Sequence, residues 1–328
     1  MRKKMKNYRN IMSGLLLTAA AATAAVGMTA CQSDKEEIVP QKKVWTLSMD
    51  ATMGQETRAL DFSDATKITP TFSTSERVAV FNVTKKTMMS RRKDGYYLAP
   101  QSDGASVKLS GTLTGDVSVG DQLKLIYFSD PGWNSFDTYD PKEVNLAYYN
   151  QVGSQSGLHE YDYALADVTV SSVTGTMIEV SGPATFQSLQ SFFKAKFVFC
   201  DEIGQRIDGF TTSYPDNDYA MTISSSDNSL VHYYRIWDGT SDPVEPQYQK
   251  ETVEWNQYRK GSRFSGDVYF ALCFNGSTDA DKLTFSVKVS GVGTYVSQPK
   301  PAPTGGFQNG LYYCPSNEIE LWLDPSIP

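Results

Sequence analysis

Val44-Trp45-Thr46-Leu47-Ser48-Met49 puts Trp45, Leu47 and Met49 on one face of an extended chain and Thr46 and Ser48 on the other. Strict alternation of this kind predicts a half-buried β-strand, because successive side chains point to opposite faces of a sheet. The same period returns at Leu283-Thr284-Phe285-Ser286-Val287-Lys288-Val289 and at Phe193, Ala195, Phe197 and Phe199. Val78 to Phe81, Leu123 to Phe128 and Ile319 to Leu323 read as further strands, and the more continuously apolar Val268 to Phe274 as a more central one. Clusters of Gly, Pro, Asn and Asp separate these runs, and long Leu/Ala/Glu/Lys stretches with a 3.6 period are missing. The fold class is therefore all-β. One exception is expected: Phe186, Leu189 and Phe193 recur at helical spacing, which predicts one or two helical turns from Phe186 to Ser191. Ser181-Gly182-Pro183 is the strongest punctuation near the middle, so two domains are expected, residues 31–180 and 181–328. No internal repeat is legible.

Ahead of the first strand lie Arg2, Lys3, Lys4, Lys6 and Arg9, then an apolar run from Ile11 to Val26. A basic start, an apolar centre and small residues before a cut form a signal peptide, here residues 1–30. An uncleaved anchor fits less well, because the run falls short of the ~20 strongly apolar residues that span a bilayer. Met28-Thr29-Ala30-Cys31 resembles a bacterial lipobox. The resemblance implies cleavage between Ala30 and Cys31 and lipidation of Cys31, with several acyl chains, palmitate among them, holding the protein at the membrane. Each buried methylene contributes about 0.8 kcal/mol to such an anchor. The polar, acidic Gln32 to Glu37 resembles the export signal of surface lipoproteins in the Bacteroidetes; as a bare charge run it is a solvated tether. The first 30 residues carry five of the 30 basic residues and none of the 37 acidic ones, so their removal takes the formal charge from −7 to −12. A chain that acidic offers no basic field to collect phosphates, which argues against nucleic acid as a partner.

Little in the sequence speaks for catalysis. His159 and His232 are the two histidines, and neither has a nucleophile motif near it. Cys200, Cys273 and Cys314 sit in apolar runs, where a cysteine is by default a buried small hydrophobe. One disulfide plus one free thiol is the other option, and the sequence does not choose the pair. The cysteines lack zinc spacing. Asp216-Asn217-Asp218 and Asp279-Ala280-Asp281 lack the glycine and distal glutamate of a calcium loop and read as solvated loop acids. Gly291-Val292-Gly293 lacks the third glycine of a phosphate cradle. No cofactor, no metal and no enzyme activity are expected, although paired carboxylates are not visible as such in a sequence. Three aromatic groups are candidate contact residues: Trp133, Phe136 and Tyr139; Tyr233, Tyr234 and Trp237; Trp255 and Tyr258. Exposed rings stack on sugars or anchor proteins, but in a β-protein most aromatics are core.

The order of the elements carries a second resemblance. A strand after the lipobox, then Thr57-Arg58-Ala59-Leu60, then Ser75-Glu76-Arg77-Val78-Ala79-Val80-Phe81-Asn82, resembles the fimbrillin family of Bacteroidales pilus subunits. Ser75, Arg77 and Phe81 depart mildly from the family wording. Tyr161 to Ala166, Phe193-Lys194-Ala195-Lys196-Phe197 and Gly310-Leu311-Tyr312-Tyr313 followed by Ile319 to Leu323 resemble later family segments. The resemblance implies two tandem transthyretin-like β-sandwich domains in a lipidated fimbrial subunit or adhesin at the outer membrane surface. Such subunits assemble by strand exchange with other fimbrial subunits. It further implies a maturation cut at Arg58-Ala59, with Lys67 a weaker candidate, that frees the first strand. The short, proline-bearing stretch after Leu323 implies a subunit that accepts a strand without giving one, a tip position. A different class shares the lipobox, the acidic tether and the tandem sandwiches: a glycan-binding outer-membrane lipoprotein of a polysaccharide uptake system. It has no use for the Trp45 strand or the Arg58 loop.

Overall fold

A computed structural model describes residues 43–54, 71–128, 144–147, 151, 153–208, 219–237, 247–250, 253–257, 267–315 and 317–327; the side chains of 128, 144–147, 156, 159–160, 232–237, 247–250 and 253–257 fall outside the description. The strands of the first half are β1 (Val44–Met53), β2 (Arg77–Asn82), β3 (Thr87–Met88), β4 (Tyr97–Pro100), β5 (Ser106–Thr114), β6 (Gln122–Phe128), β7 (Val144–Ala147), β8 (Tyr163–Thr174), β9 (Met177–Val180) and β10 (Ala184–Ser188). Those of the second half are β11 (Ser191–Cys200), β12 (Tyr219–Ser225), β13 (Leu230–Trp237), β14 (Gln247–Lys250), β15 (Val253–Gln257), β16 (Asp267–Phe274), β17 (Lys282–Val289), β18 (Gly293–Ser297), β19 (Lys300–Pro301), β20 (Tyr312–Tyr313) and β21 (Ile319–Leu323). Helix among the described residues is confined to two 3-10 pieces, Arg92–Asp94 and Gln155–Tyr161. The protein is all-β, in two tandem sheet bodies.

The first body is a sheet in the order β10-β1-β5-β4-β2-β6-β8-β9, with β3 on β2. It closes on itself, because β9 also pairs with β1 and β10 also pairs with β8. β9 and β10 act as one strand broken at Ser181-Gly182-Pro183. β9 joins β1 at Thr46–Leu47 and β10 joins it at residues 51–53, both in parallel. Both pieces run antiparallel to β8. Gly182 takes φ +82, a left-handed value that glycine adopts without steric cost, and Pro183 has no N–H to give a ladder. The expected divide at Ser181-Gly182-Pro183 is thus a break inside the first sheet. The chain leaves that sheet after Ser188 and enters the next at Ser191.

The predicted helical turns over Phe186 to Ser191 are corrected by the same passage. Ala184 and Phe186 are buried while Thr185 and Gln187 are exposed, which is a strand's period. The helical spacing has another origin. Phe186 packs in the core of the first body, Leu189 against a cluster between the two bodies, and Phe193 in the core of the second. Three destinations, not one helix face, set the three apolar positions.

The second sheet runs β14-β13-β16-β11-β21-β18-β17-β12-β15, with β7 on β13, β19 on β17 and β20 on β11. β11 changes partner midway: Ser191 to Lys196 pair with β16, and Phe197 to Cys200 pair in parallel with β21. Phe193, Phe197, Phe270, Phe285, Val287 and Leu321 fill the core this folding encloses. The two bodies are stitched together. β7, Gln151 and residues 153–161 precede β8 in the chain, yet they lie on the second sheet. The Gln151 side chain substitutes for a strand there, its Oε1 accepting from Ala271 N at 2.6 Å and its Nε2 donating to Ala271 O at 2.5 Å. β2 is buried on both faces for the same reason. Val78 and Val80 face the first core, and Ala79 and Phe81 meet Val231 and Cys273 of the second body.

Candidate functional site

β1 holds the residues on which the functional reading turns. Its sequence alternates, and so does its burial: Trp45, Leu47, Met49 and Ala51 are 2%, 0%, 5% and 1% exposed. Thr46, Ser48 and Asp50 face solvent, and Asp50 meets Lys108 at 3.7 Å in an exposed ion pair of little energetic weight. The ladder to β5 is continuous and antiparallel over nine residue pairs, Val44↔Thr114 to Thr52↔Ser106. The ladder on the other side covers two pairs with β9 and three with β10. The inner row shrinks along the strand. At one end Trp45 fills the barrel, its Nε1–H donating to Gly115 O at 2.6 Å and its ring lying 4.0 Å from the Lys43 ammonium. At the other end Ala51 faces Ala184, two small residues where β1 meets β10.

The exit of β1 is fixed by backbone. Gly54 N donates to Phe186 O at 2.9 Å, and a Cβ at Gly54 would lie 2.7 Å from that oxygen, so only glycine fits without movement. The description resumes beyond residue 70, where Phe72 exchanges backbone hydrogen bonds with Gly104 and packs edge-on against Phe186 with ring centroids 5.6 Å apart. Gly54 and Phe72, on either side of residues 55–70, therefore both meet Phe186. A cut within that segment would leave β1 joined to the rest by non-covalent contacts alone. Burial of Trp45, Leu47 and Met49 contributes roughly 1.5–3 kcal/mol each, and their sum approaches the whole stability of a typical domain, about 5–15 kcal/mol. Loss of β1 without replacement would expose a full row of β5 backbone groups and an apolar furrow floored by Leu109, Leu113, Ile178 and Phe186. Another strand with the same alternation would satisfy both.

Several sequence-predicted residues lie outside the described set: Ala30, Cys31, Arg58, Ala59, Lys67, Trp133, Phe136, Tyr139, Tyr258 and the Asp216 to Asp218 loop. The same holds for the side chains of His159, His232, Tyr233, Tyr234, Trp237 and Trp255. Cys200, Cys273 and Cys314 form no disulfide with one another; the first two are buried and Cys314 is exposed. Burial pushes the Cys200 thiol above its ordinary pKa, as suits a packing residue. Cys314 departs from the expected buried position because it follows β20, where the chain leaves β11. Gly291 and Gly293 form the turn of the β17–β18 hairpin.

Asp281 is the clearest correction among the acids. It is not a solvated loop residue but fully buried. Its carboxylate accepts from the hydroxyls of Ser225, Ser226, Ser229 and Ser277 and from the backbone N–H of Asp227 and Lys282, at 2.5–3.3 Å. Burial raises its pKa, yet the hydrogen bonds from Ser229, Ser225, Ser277 and Asp227 together hold it below the usual carboxylate value. This is a structural knot tying the β12–β13 turn to the β16–β17 turn. Asp121 does a smaller version of the same work in the first body, accepting from Asn82 Nδ2 and Ser118 N, each at 2.9 Å. Among the described residues no group of three or more side chains is placed to hold a metal ion.

No family model and no curated protein matches the chain. Solved structures give weak likenesses. A Bacteroides uniformis protein named for cell adhesion is 11% identical, with a TM-score of 0.38 over 87% of this chain and 97% of its own. A fimbrial protein from Bacteroides ovatus is 10% identical, with a TM-score of 0.30 over 86% of this chain and 50% of its own. A Bacteroides thetaiotaomicron protein named for polysaccharide binding is 12% identical, with a TM-score of 0.33 over 74% of this chain and 76% of its own. At these scores none of them decides the function, which has to rest on the chain's own residues.

Proposed function

We propose that this chain is a fimbrillin-like subunit or adhesin of the cell surface, anchored through a lipid on Cys31, that takes in a strand from a neighbouring subunit at the position of β1. It is a structural or adhesive protein and not an enzyme. The observation that carries the reading is β1 itself: a first strand with an inner apolar row, held by one continuous ladder, followed by a segment whose cleavage leaves it attached non-covalently. A strand donated by another subunit adds main-chain hydrogen bonds, and its alternate side chains select the groove. Arg58-Ala59 lies in the segment where a cut would have this effect, with Lys67 the weaker site. β1 and its ladder support the strand reading from described residues, while the Arg58-Ala59 cut and the aromatic side chains of the glycan-binding reading lie outside the description.

The test is the N-terminal sequence of the protein purified from its own cells, in precursor and assembled forms, with palmitate labelling of wild type and Cys31→Ala. The expected precursor is labelled and blocked at Cys31, and the expected assembled form begins at Ala59. Equal labelling of the Cys31→Ala variant, or an assembled form that retains β1, would overturn the proposal.

A further inference from the structure

A solvent-open cleft of about 510 Å3 reaches the edge of the second body's core between residues 300–303 and Cys314, Pro315, Asn317 and Glu318. The volume falls in the range of about 300–1,000 Å3 usual for small-molecule sites. The floor is apolar: Phe193, Phe270, Phe285, Leu283 and Ile319 line it, each at most 5% exposed. The rings are ordered against one another, with Phe193 stacked on Phe270 at 5.1 Å between centroids and on Tyr313 at 4.8 Å.

The polar side chains of the lining are Lys300, Asn317, Glu318, Tyr312 and Tyr313, with the Cys314 thiol beside them. Glu318 is already occupied: Lys196 Nζ lies 2.5 Å and Arg206 Nη1 2.8 Å from its oxygens. These partners, Lys196 first, hold it ionised below the usual glutamate range. The Lys300 ammonium has no ion pair or side-chain hydrogen bond among the described residues. Two other occupants fit poorly. A sugar would bury most of its hydroxyls against phenylalanine rings, with the hydroxyls of Tyr312 and of Tyr313, which already accepts from Gln308 N, as the ring-borne partners. An added strand would find Pro301, Pro303 and Pro315 on the rim, which have no N–H to donate.

We propose that this cavity binds an amphipathic organic anion, its apolar body on the Phe193–Phe270–Phe285 floor and its carboxylate at Lys300. The site is independent of β1 and of strand exchange.

Titration calorimetry on the full mature chain, with dodecanoate and dodecanol below their aggregation concentrations, tests this. The expected result is one saturable site for dodecanoate. Dodecanol and the Lys300→Glu variant should each weaken it by about tenfold or more, the loss of one charge-assisted contact. Lys300 is half-buried at the rim and the variant should keep the wild-type circular dichroism. Ala195→Phe, which fills the cavity, should abolish binding, and Cys314 at the mouth gives a readout in the unaltered fold: dodecanoate should slow its reaction with a maleimide. Absence of saturable dodecanoate binding, equal binding of dodecanol, or binding unchanged in Lys300→Glu would overturn the proposal.

Discussion

β1 and β21 are the first and last strands described, and each is paired in parallel on one side and antiparallel on the other. β1 has nine antiparallel pairs with β5, but its parallel side is divided between β9 and β10, with residues 48–50 unpaired there. β21 has four parallel pairs with β11 and three antiparallel pairs with β18, near the middle of its sheet. Removing β21 would split that sheet in two. Removing β1 would open one furrow in a barrel whose remaining strands stay joined through β8, β9 and β10. The stability of β1 is therefore concentrated in an inner row and one ladder, both of which another strand can reproduce. That of β21 is shared with the body around it.

The sharpest way to break this comparison is to truncate the tryptophan in each strand. Trp45 is 2% exposed and Trp322 is 36% exposed. Trp45→Ala should cost about 3–5 kcal/mol in chemical denaturation, and Trp322→Ala less than about 1.5 kcal/mol. Equal losses would mean that the inner row does not hold β1. Asp281→Ala comes next, at about 3 kcal/mol, because it strips four serine hydroxyls of their acceptor in the body that holds β21. The pH dependence has a definite sign. A carboxyl with a lowered folded pKa contributes stability that is complete above the ordinary carboxylate range and is lost as the pH falls through that range to the folded value. Acid titration should therefore destabilise the wild type more steeply than Asp281→Asn; parallel acid curves would remove Asp281 from the account. Gly54→Ala should cost about 1–3 kcal/mol, since its Cβ meets the Phe186 backbone. The smallest effect belongs to the outer row, where Asp50→Asn should change stability by less than about 0.5 kcal/mol.

The strands were legible wherever one face of a strand meets water. β1 and β17 show their alternation in the sequence because solvent sets their polar positions. β2 reads as a strong apolar run, yet nothing in Val78 to Phe81 says that its outer face is covered by the other body. The misread helix at Phe186 has the same root, since local spacing does not disclose that neighbouring apolar residues go to different cores. The burial of Asp281 is not legible in the sequence because its serine donors are divided between two turns, Ser225, Ser226 and Ser229 in one and Ser277 in the other, and none signals its direction. Of the candidate site, the inner row Trp45, Leu47 and Met49 was visible from the start. The split strand that closes over it was not, because glycine and proline announce a break without saying which sheet is broken.

The most direct test of a replaceable β1 uses protein cut within residues 55–70 and a labelled peptide of the Val44–Met53 sequence. Exchange of the label is followed by size exclusion and intact mass under native conditions. The account predicts that the cut protein releases its own β1 and takes up one labelled peptide, and that a peptide with Trp45, Leu47 and Met49 replaced by serine is not taken up. Retention of the original strand under a large excess of peptide, or equal uptake of the serine peptide, would contradict it.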